Sequence, residues 1–275
     1  MTSIRAITTV CLTIATLSSA LAASAHDFWL EPTQYHIDAP GLVPVSVMIG
    51  HPSDQMTWPV SADRVVALRT LSTDGVTDQQ SSVSNYGAME MLLVELDTSG
   101  LHVLTIETNR AFSDLPAAKF EDYLAEEGLS LIQLDRVQRQ ATERSGTELY
   151  SRRGKAILQV GPITTADRTL LRRPLGLTLE IMTLDHPLEW MEESMLNAEV
   201  LFRGAPIAGV TVGLVSTEAG SDKVVHSKTA ADGTVSFAYP GPGMWMLHAV
   251  WGDRSTVSER ADYNTIFSSV SFEVR

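Results

Sequence analysis

One cysteine in 275 residues, and that one inside an apolar leader, is the strongest constraint on how this chain can fold. Met1 to Ala25 carries a single positive charge at Arg5, a largely apolar stretch from Ala6 to Leu21, and the small-x-small sequence Ala23-Ser24-Ala25. That is the pattern of a secretory signal peptide, and Cys11 is lost with it. Cleavage after Ala25 leaves 250 of the 275 residues, none of them cysteine. An exported chain without disulfides must draw its stability from apolar cores. No later segment approaches the roughly 18 consecutive apolar residues of a membrane span. The expectation is a soluble, exported protein with no membrane insertion after cleavage.

The cores are expected between strands. Val43–Ile49, Val65–Leu71, Met89–Leu96 and Leu101–Glu107 are short runs rich in branched residues, and turn residues such as Asp97-Thr-Ser-Gly100 separate them. Between about 117 and 141 the period changes. Phe120, Tyr123 and Leu124 are spaced as on a helix, and Gly128 can end it in a left-handed conformation. Ser130 with Gln133 forms a capping-box signal for a second helix, with Leu131, Leu134 and Val137 as its apolar stripe. The charged stretch Glu143 to Lys155 reads as exposed, and Ala156–Val160 resumes as strand.

Gly161-Pro162 and Arg172-Arg173-Pro174 mark a boundary, beyond which a second series of strands runs from Leu175–Thr183 to Ser268–Val274 with Gly/Pro turns. The expected fold is all-β. After a signal peptide at 1–25 come two β-sandwich-like domains, at 26–165 and 174–275, the first with a short helical insertion.

Charge narrows the partners. The chain has 33 Asp and Glu against 20 Lys and Arg, a formal net charge of −13 that becomes −14 when Arg5 leaves. Nucleic acid and anionic membrane surfaces both require basic patches, so neither is expected as a partner. No Gly-x-Ser-x-Gly elbow and no phosphate-binding loop is present, and Glu126-Glu127 and Glu192-Glu193 are sequence neighbours rather than convergent acid/base pairs. The five tryptophans read as core.

Cleavage after Ala25 would leave His26 as the first residue, its free amine and imidazole able to chelate a transition metal. Cleavage after Ala22 also fits the rule and would abolish the chelate. None of the seven histidines forms a close H-x-H or H-x-x-x-H pair, so a metal site must be assembled from distant strands. His51, in a Gly-His-Pro turn at a strand end, is the second candidate ligand. His248, inside an apolar strand with Asp253 and Asp262 nearby in sequence, is the third. His102 reads as a sheet histidine, and His186 and His226 as exposed.

His26-Asp-Phe-Trp-Leu-Glu-Pro32, Gly50-His51, Phe120–Leu129 and Tyr150–Lys155 follow one another in an order that resembles a known family. It is the bacterial periplasmic domain-of-unknown-function family often labelled a nickel or cobalt uptake component. Gly209-Val-Thr-Val212, Asp232-x-Thr-Val-x-Phe237 and Pro242-Gly-x-Trp245 give the C-terminal half a likeness to the transthyretin-like, carboxypeptidase-regulatory sandwich. In relatives a histidine often follows the Trp-led strand where this chain has Trp251, with His248 three residues earlier. The resemblance implies a non-catalytic accessory protein binding nickel, cobalt or copper, with a membrane transporter or outer-membrane receptor as its protein partner. The alternatives are a metal-free adhesion or ligand-binding protein, and a copper oxidase with His26 as an N-terminal chelate.

Overall fold

The computed structural model describes residues 27–51, 53–58, 61–83 and 91–275. The leader, its cleavage site and His26 lie outside them, as do Pro52 and the first residues of the expected 89–96 strand. The described chain is mostly β, with a few short helices.

A ten-stranded sheet runs through the molecule. Its main path is Val224–Lys228, Thr211–Ser216, Gly243–Arg254, Tyr263–Val274, Gly146–Val160, Gly100–Thr108, Val65–Ser72 and Gly75–Asp78. The long Gly146–Val160 strand is the seam. Ile157–Val160 pairs antiparallel with the N-terminal half of the sheet, while Glu148–Ala156 pairs parallel with the last strand of the chain. A parallel pair needs a long crossover, here provided by the chain between Val160 and Tyr263.

Side chains alternate across a strand, so each face of this sheet can bury its own core. Ala156, Leu158, Leu104 and Ile106 face a four-stranded sheet made of Phe28–Pro32, Gly41–Ile49, Met56–Thr57 and Leu92–Leu96. Ile157, Val103, Leu247 and Phe272 belong to a core shared with the other four-stranded sheet, Leu179–Thr183, Met195–Phe202, Ala205–Pro206 and Thr234–Ala238. Two sandwich-like cores thus share one continuous sheet. Two helices, Ala117–Glu126 and Ser130–Gln138, extend the first layer by packing Phe120, Tyr123, Leu124 and Ile132 onto Val250, Tyr263 and Phe267.

Several local readings are corrected. Ser130 does not cap its helix. The N-cap is Leu129, with no side-chain capping bond. Leu131, Leu134 and Val137 are exposed, and the same helix instead buries Ile132 and Arg136. Arg136 can turn inward because Glu121 and the carbonyls of Ala141 and Arg144 receive its guanidinium. The true capping box is Thr164 with Asp167, which starts an unexpected helix at Thr165–Leu171. Asp167 also accepts the backbone N–H of Leu101 at 2.8 Å, tying this helix to the central sheet. The strand expected from Leu175 begins at Leu179.

The charged stretch 143–155 is not an exposed segment. Glu148, Arg152 and Lys155 are all buried. Arg152 lies among Tyr150, Trp58, Phe28 and Phe267 at 4.8 to 5.8 Å from their ring centres. Lys155 reaches across to Glu180.

Gly128 does take the left-handed conformation, at φ +66°, and ends the Ala117–Glu126 helix. A Cβ there would lie 2.2 Å from Thr211 Oγ1 and 2.8 Å from its Cβ, so the glycine lets the helical turn sit directly on the central sheet. Gly128→Ala is therefore expected to cost about 1–3 kcal/mol through left-handed strain and overlap. Urea unfolding measures it, and a loss below about 0.5 kcal/mol, the scale of an ordinary surface change, would contradict this packing.

Candidate functional site

The first strand pair fixes the position of Asp27. Phe28 is in register with Ile49, and the backbone N–H of Gly50 donates to the Asp27 carbonyl at 3.1 Å. The chain therefore turns at Gly50 beside Asp27. Gly50 has φ +113°, and a Cβ would come within 3.1 Å of the Asp54 backbone. His51 is held in this turn by its own N–H donating to the Asp54 carboxylate at 3.0 Å, while Asp54 N–H donates back to the His51 carbonyl.

His51 Nδ1 lies 3.8 Å from Asp27 Oδ2, and Nε2 lies 3.6 Å from Glu126 Oε1. The other carboxylate oxygen of Asp27 is 3.0 Å from His248 Nδ1, and His248 Nε2 is 3.1 Å from Glu127 Oε2. Asp27 thus bridges two histidines, and each histidine reaches one of the glutamates at the C-terminal end of the Ala117–Glu126 helix. That helix end carries partial negative charge of its own, which adds to the carboxylates in favouring a cation.

A third imidazole joins them through sheet register. His248 pairs with Gly213, and Gly213 pairs with His226 on the next strand. Residues in one lateral row point to the same face. His226 and His248 therefore rise on either side of a residue with no side chain. A Cβ on Gly213 would lie 3.3 Å from His226 Cδ2 and 3.4 Å from its Nε2. The resulting cleft has a volume of about 180 Å³, with Asp27, His51, Glu126, Glu127, His226 and His248 among its lining.

Burial sets the protons. It pushes Glu127 well above the usual carboxylate range, and Asp27, Glu126 and Glu148 add to the rise. It pulls His248 down against the opposing attraction of Asp27. Both directions favour a neutral Glu127 donating to His248 Nε2, with His248 Nδ1–H donating to Asp27. His51 is half-exposed and shifts the other way, raised chiefly by its contact with Asp27 against a smaller effect of burial. At 3.8 Å that contact acts as an ion pair more than as a hydrogen bond.

Behind the cleft, Glu148 accepts hydrogen bonds from Tyr123 Oη at 3.2 Å and Thr265 Oγ1 at 2.6 Å. Burial outweighs both and pushes it up to about 7 from 4.5. The native state then binds more protons than the unfolded chain between these values. Stability contributed by Glu148 is fully present below about pH 4.5 and is lost as pH rises to about 7, on the order of 3 kcal/mol in all. Glu148→Gln is expected to flatten that part of the pH–stability curve, and an unchanged slope would contradict the assignment.

Of the sequence candidates, the structure brings His51 and His248 together, and His26 lies outside the described residues, one peptide bond before Asp27. Asp253 and Asp262 are not partners of His248; its partners are Asp27 and Glu127. His226 is exposed but lines the cleft, and only the strand register reveals it. His186, expected to be exposed, is buried. It accepts from Leu188 N–H, its Nε2 lies 3.2 Å from Gln159 Oε1, and burial pulls it down to about 4. His36 and His102 bond to the carbonyls of Gly161 and Thr98.

Among the described residues no three His, Asp or Glu side chains are already closed around one point as a metal cage. The cleft's imidazoles and carboxylates hold one another instead. As a donor set they still fit a cation of intermediate hardness, since three imidazoles suit nickel, copper or zinc and carboxylates complete the charge. The desolvated carboxyl of Glu127, crowded by Asp27 and Glu126, is a group that a cation would relieve.

Residues 23–253 match the family described as a domain of unknown function, DUF4198. No curated protein matches the chain. Among solved structures, the D0-D1 domain of intimin is similar at 10% identity, covering 88% of this chain and 96% of that one, with a TM-score of 0.22. Dimeric latent PorU from Porphyromonas gingivalis is similar at 6% identity over 94% of this chain and 21% of its own length, also with a TM-score of 0.22. Likenesses this weak carry no argument about fold or function. No helix of the described residues is long and apolar enough to cross a membrane.

Proposed function

The chain belongs to the DUF4198 family, and we propose that it is a periplasmic, non-catalytic accessory protein that binds nickel, cobalt or copper for uptake. The observation that carries this reading is the convergence of His51, His226 and His248 with Asp27, Glu126 and Glu127 on one cleft. If cleavage falls after Ala25, His26 adds an amine and a fourth imidazole beside Asp27. The cation would replace the histidine–carboxyl contacts that now close the cleft, with His248 Nε2 released from Glu127. The bound ion would then be handed to a membrane transporter or outer-membrane receptor.

Binding requires deprotonated imidazoles, so affinity is expected to fall as pH drops. His51, raised by Asp27, gives up its proton late as pH rises, so the loss on acidification begins above the usual histidine range. Titrating nickel(II) and copper(II) at successive pH values checks this, and affinity that is flat from pH 8 to pH 5 would contradict it.

The experiment that tests the reading is equilibrium titration of the exported protein, with intact mass fixing its first residue. Nickel(II) and copper(II) should each bind one to one, while calcium and magnesium should not compete. A form carrying one alanine before His26 isolates the amine chelate: it should bind more weakly if His26 is the first residue. Absence of binding in both forms would overturn the metal reading and leave the adhesion or ligand-binding alternative.

A further inference from the structure

Away from the histidine cleft, the back of the central sheet carries a second and chemically opposite cavity. Its floor is one face of three neighbouring strands: Leu149, Ser151 and Arg153; Asn264 and Ile266; Trp251 and Asp253. Its wall is the edge of the second four-stranded sheet, where Thr178, Phe202 and Arg203 stand over the floor, and Arg110 closes one side. The volume is about 80 Å³. Three arginines and one aspartate are therefore among the lining of a single cleft in a chain of net charge −13.

Those guanidiniums are unevenly compensated. Arg153 is largely buried and pairs with Glu107 at 3.3 Å, while its Nη1 donates to the Thr108 and Arg152 carbonyls. Among the described residues, neither Arg110 nor Arg203 forms an ion pair with any carboxylate within 4.0 Å. Arg203 lies over the Phe202 ring at 4.8 Å, and Phe202 is 6.2 Å from Trp251. The Asn264 side-chain oxygen is buried in the same region with no hydrogen-bond partner.

The backbone at Arg203 points the same way. Arg203 and Gly204 both have positive φ, +53° and +79°, and join Phe202 to Ala205 in a two-residue hairpin turn. Asn or Gly is the favoured first residue of such a turn. Arginine accepts left-handed strain there, in a turn that lines the cleft.

We propose that this cleft binds a small carboxylic acid bearing a hydrogen-bond donor on its α carbon. The carboxylate would take the forked donors of Arg110 and Arg203, the α donor would satisfy Asn264, and an apolar tail would lie against Trp251 and Phe202. Amino acids and hydroxy acids share this chemistry. Asp253 at the rim would favour the ammonium of an amino acid.

Calorimetric titration of the exported protein with alanine, lactate and propanoate, acids that suit a volume of about 80 Å³, tests it. The first or second should bind one to one. The third, which has no α donor, should bind about tenfold more weakly because Asn264 stays unpaired. Arg203→Asn should weaken binding about tenfold or more without lowering the melting temperature, because asparagine suits the turn. Arg110→Gln should weaken it similarly. Binding of none of the three acids, unchanged binding in both variants, or tighter binding of inorganic phosphate would each overturn the proposal.

Discussion

Glu180→Ala is expected to destabilise the protein by about 3–5 kcal/mol. Glu180 is 1% exposed, and Lys155, whose ammonium lies 3.2 Å away, is 5% exposed. The same carboxylate accepts the backbone N–H groups of Leu175, Gly176 and Leu177 at 3.0 to 3.3 Å. It therefore anchors the segment that carries the chain into the second four-stranded sheet. Removing it leaves a buried ammonium and three backbone donors without partners, each costly on its own. Burial already lowers the proton affinity of Lys155 against the attraction of Glu180. Lys155→Met should cost less, because the carboxylate keeps its three backbone donors. Adding Lys155→Met to Glu180→Ala should recover part of the loss, since no buried charge is then left unpaired. Urea unfolding of the two single variants and the double variant measures all three. A loss below about 1 kcal/mol for Glu180→Ala, or strict additivity, would contradict the anchoring role.

His248→Ala is expected to weaken nickel(II) or copper(II) binding about a hundredfold or more. Loss of an orienting partner outside the coordination sphere alone costs about 10–100-fold, and His248 supplies a ligand nitrogen directly in this account. Its position is also the most constrained of the three imidazoles, 8% exposed with Asp27 and Glu127 on its two nitrogens. Glu127→Gln should weaken binding by a smaller factor, because glutamine keeps the shape of the glutamate but cannot ionise to balance the bound cation. A structural role alone would predict the reverse signature, with both variants losing stability and neither changing affinity in the folded protein. Gly213→Ala adds a separate check, since its methyl group would press on the His226 ring and should weaken binding.

The parts of this molecule that were legible in the sequence are those set by local pattern. Branched alternating runs gave most of the strands, and Phe120, Tyr123, Leu124 and Gly128 gave the helix that ends beside the cleft. The misread parts depend on partners far along the chain. Arg152 and Lys155 look solvated in sequence because their aromatic cage and Glu180 are contributed by other segments. Leu131, Leu134 and Val137 make an apolar stripe at helical spacing, yet the helix turns Ile132 and Arg136 inward because Glu121 and two carbonyls satisfy the guanidinium.

The site divides in the same way. His51 was visible as a histidine at a strand end, and His248 as a histidine inside a strand. That one carboxylate bridges them follows only from Asp27 preceding the first strand and that strand's register with Gly41–Ile49. His226 is indistinguishable in sequence from an exposed edge residue. Its relevance comes from the row His226, Gly213, His248, which no local pattern encodes.

The most direct test of the metal site is pulsed electron paramagnetic resonance on the exported protein loaded with one equivalent of copper(II). The account predicts one copper environment with coordinated imidazole nitrogens, and loss of part of that nitrogen signal in His248→Ala. A copper signal dominated by oxygen donors, or one unchanged by His248→Ala, would contradict the assignment of this cleft as the metal site.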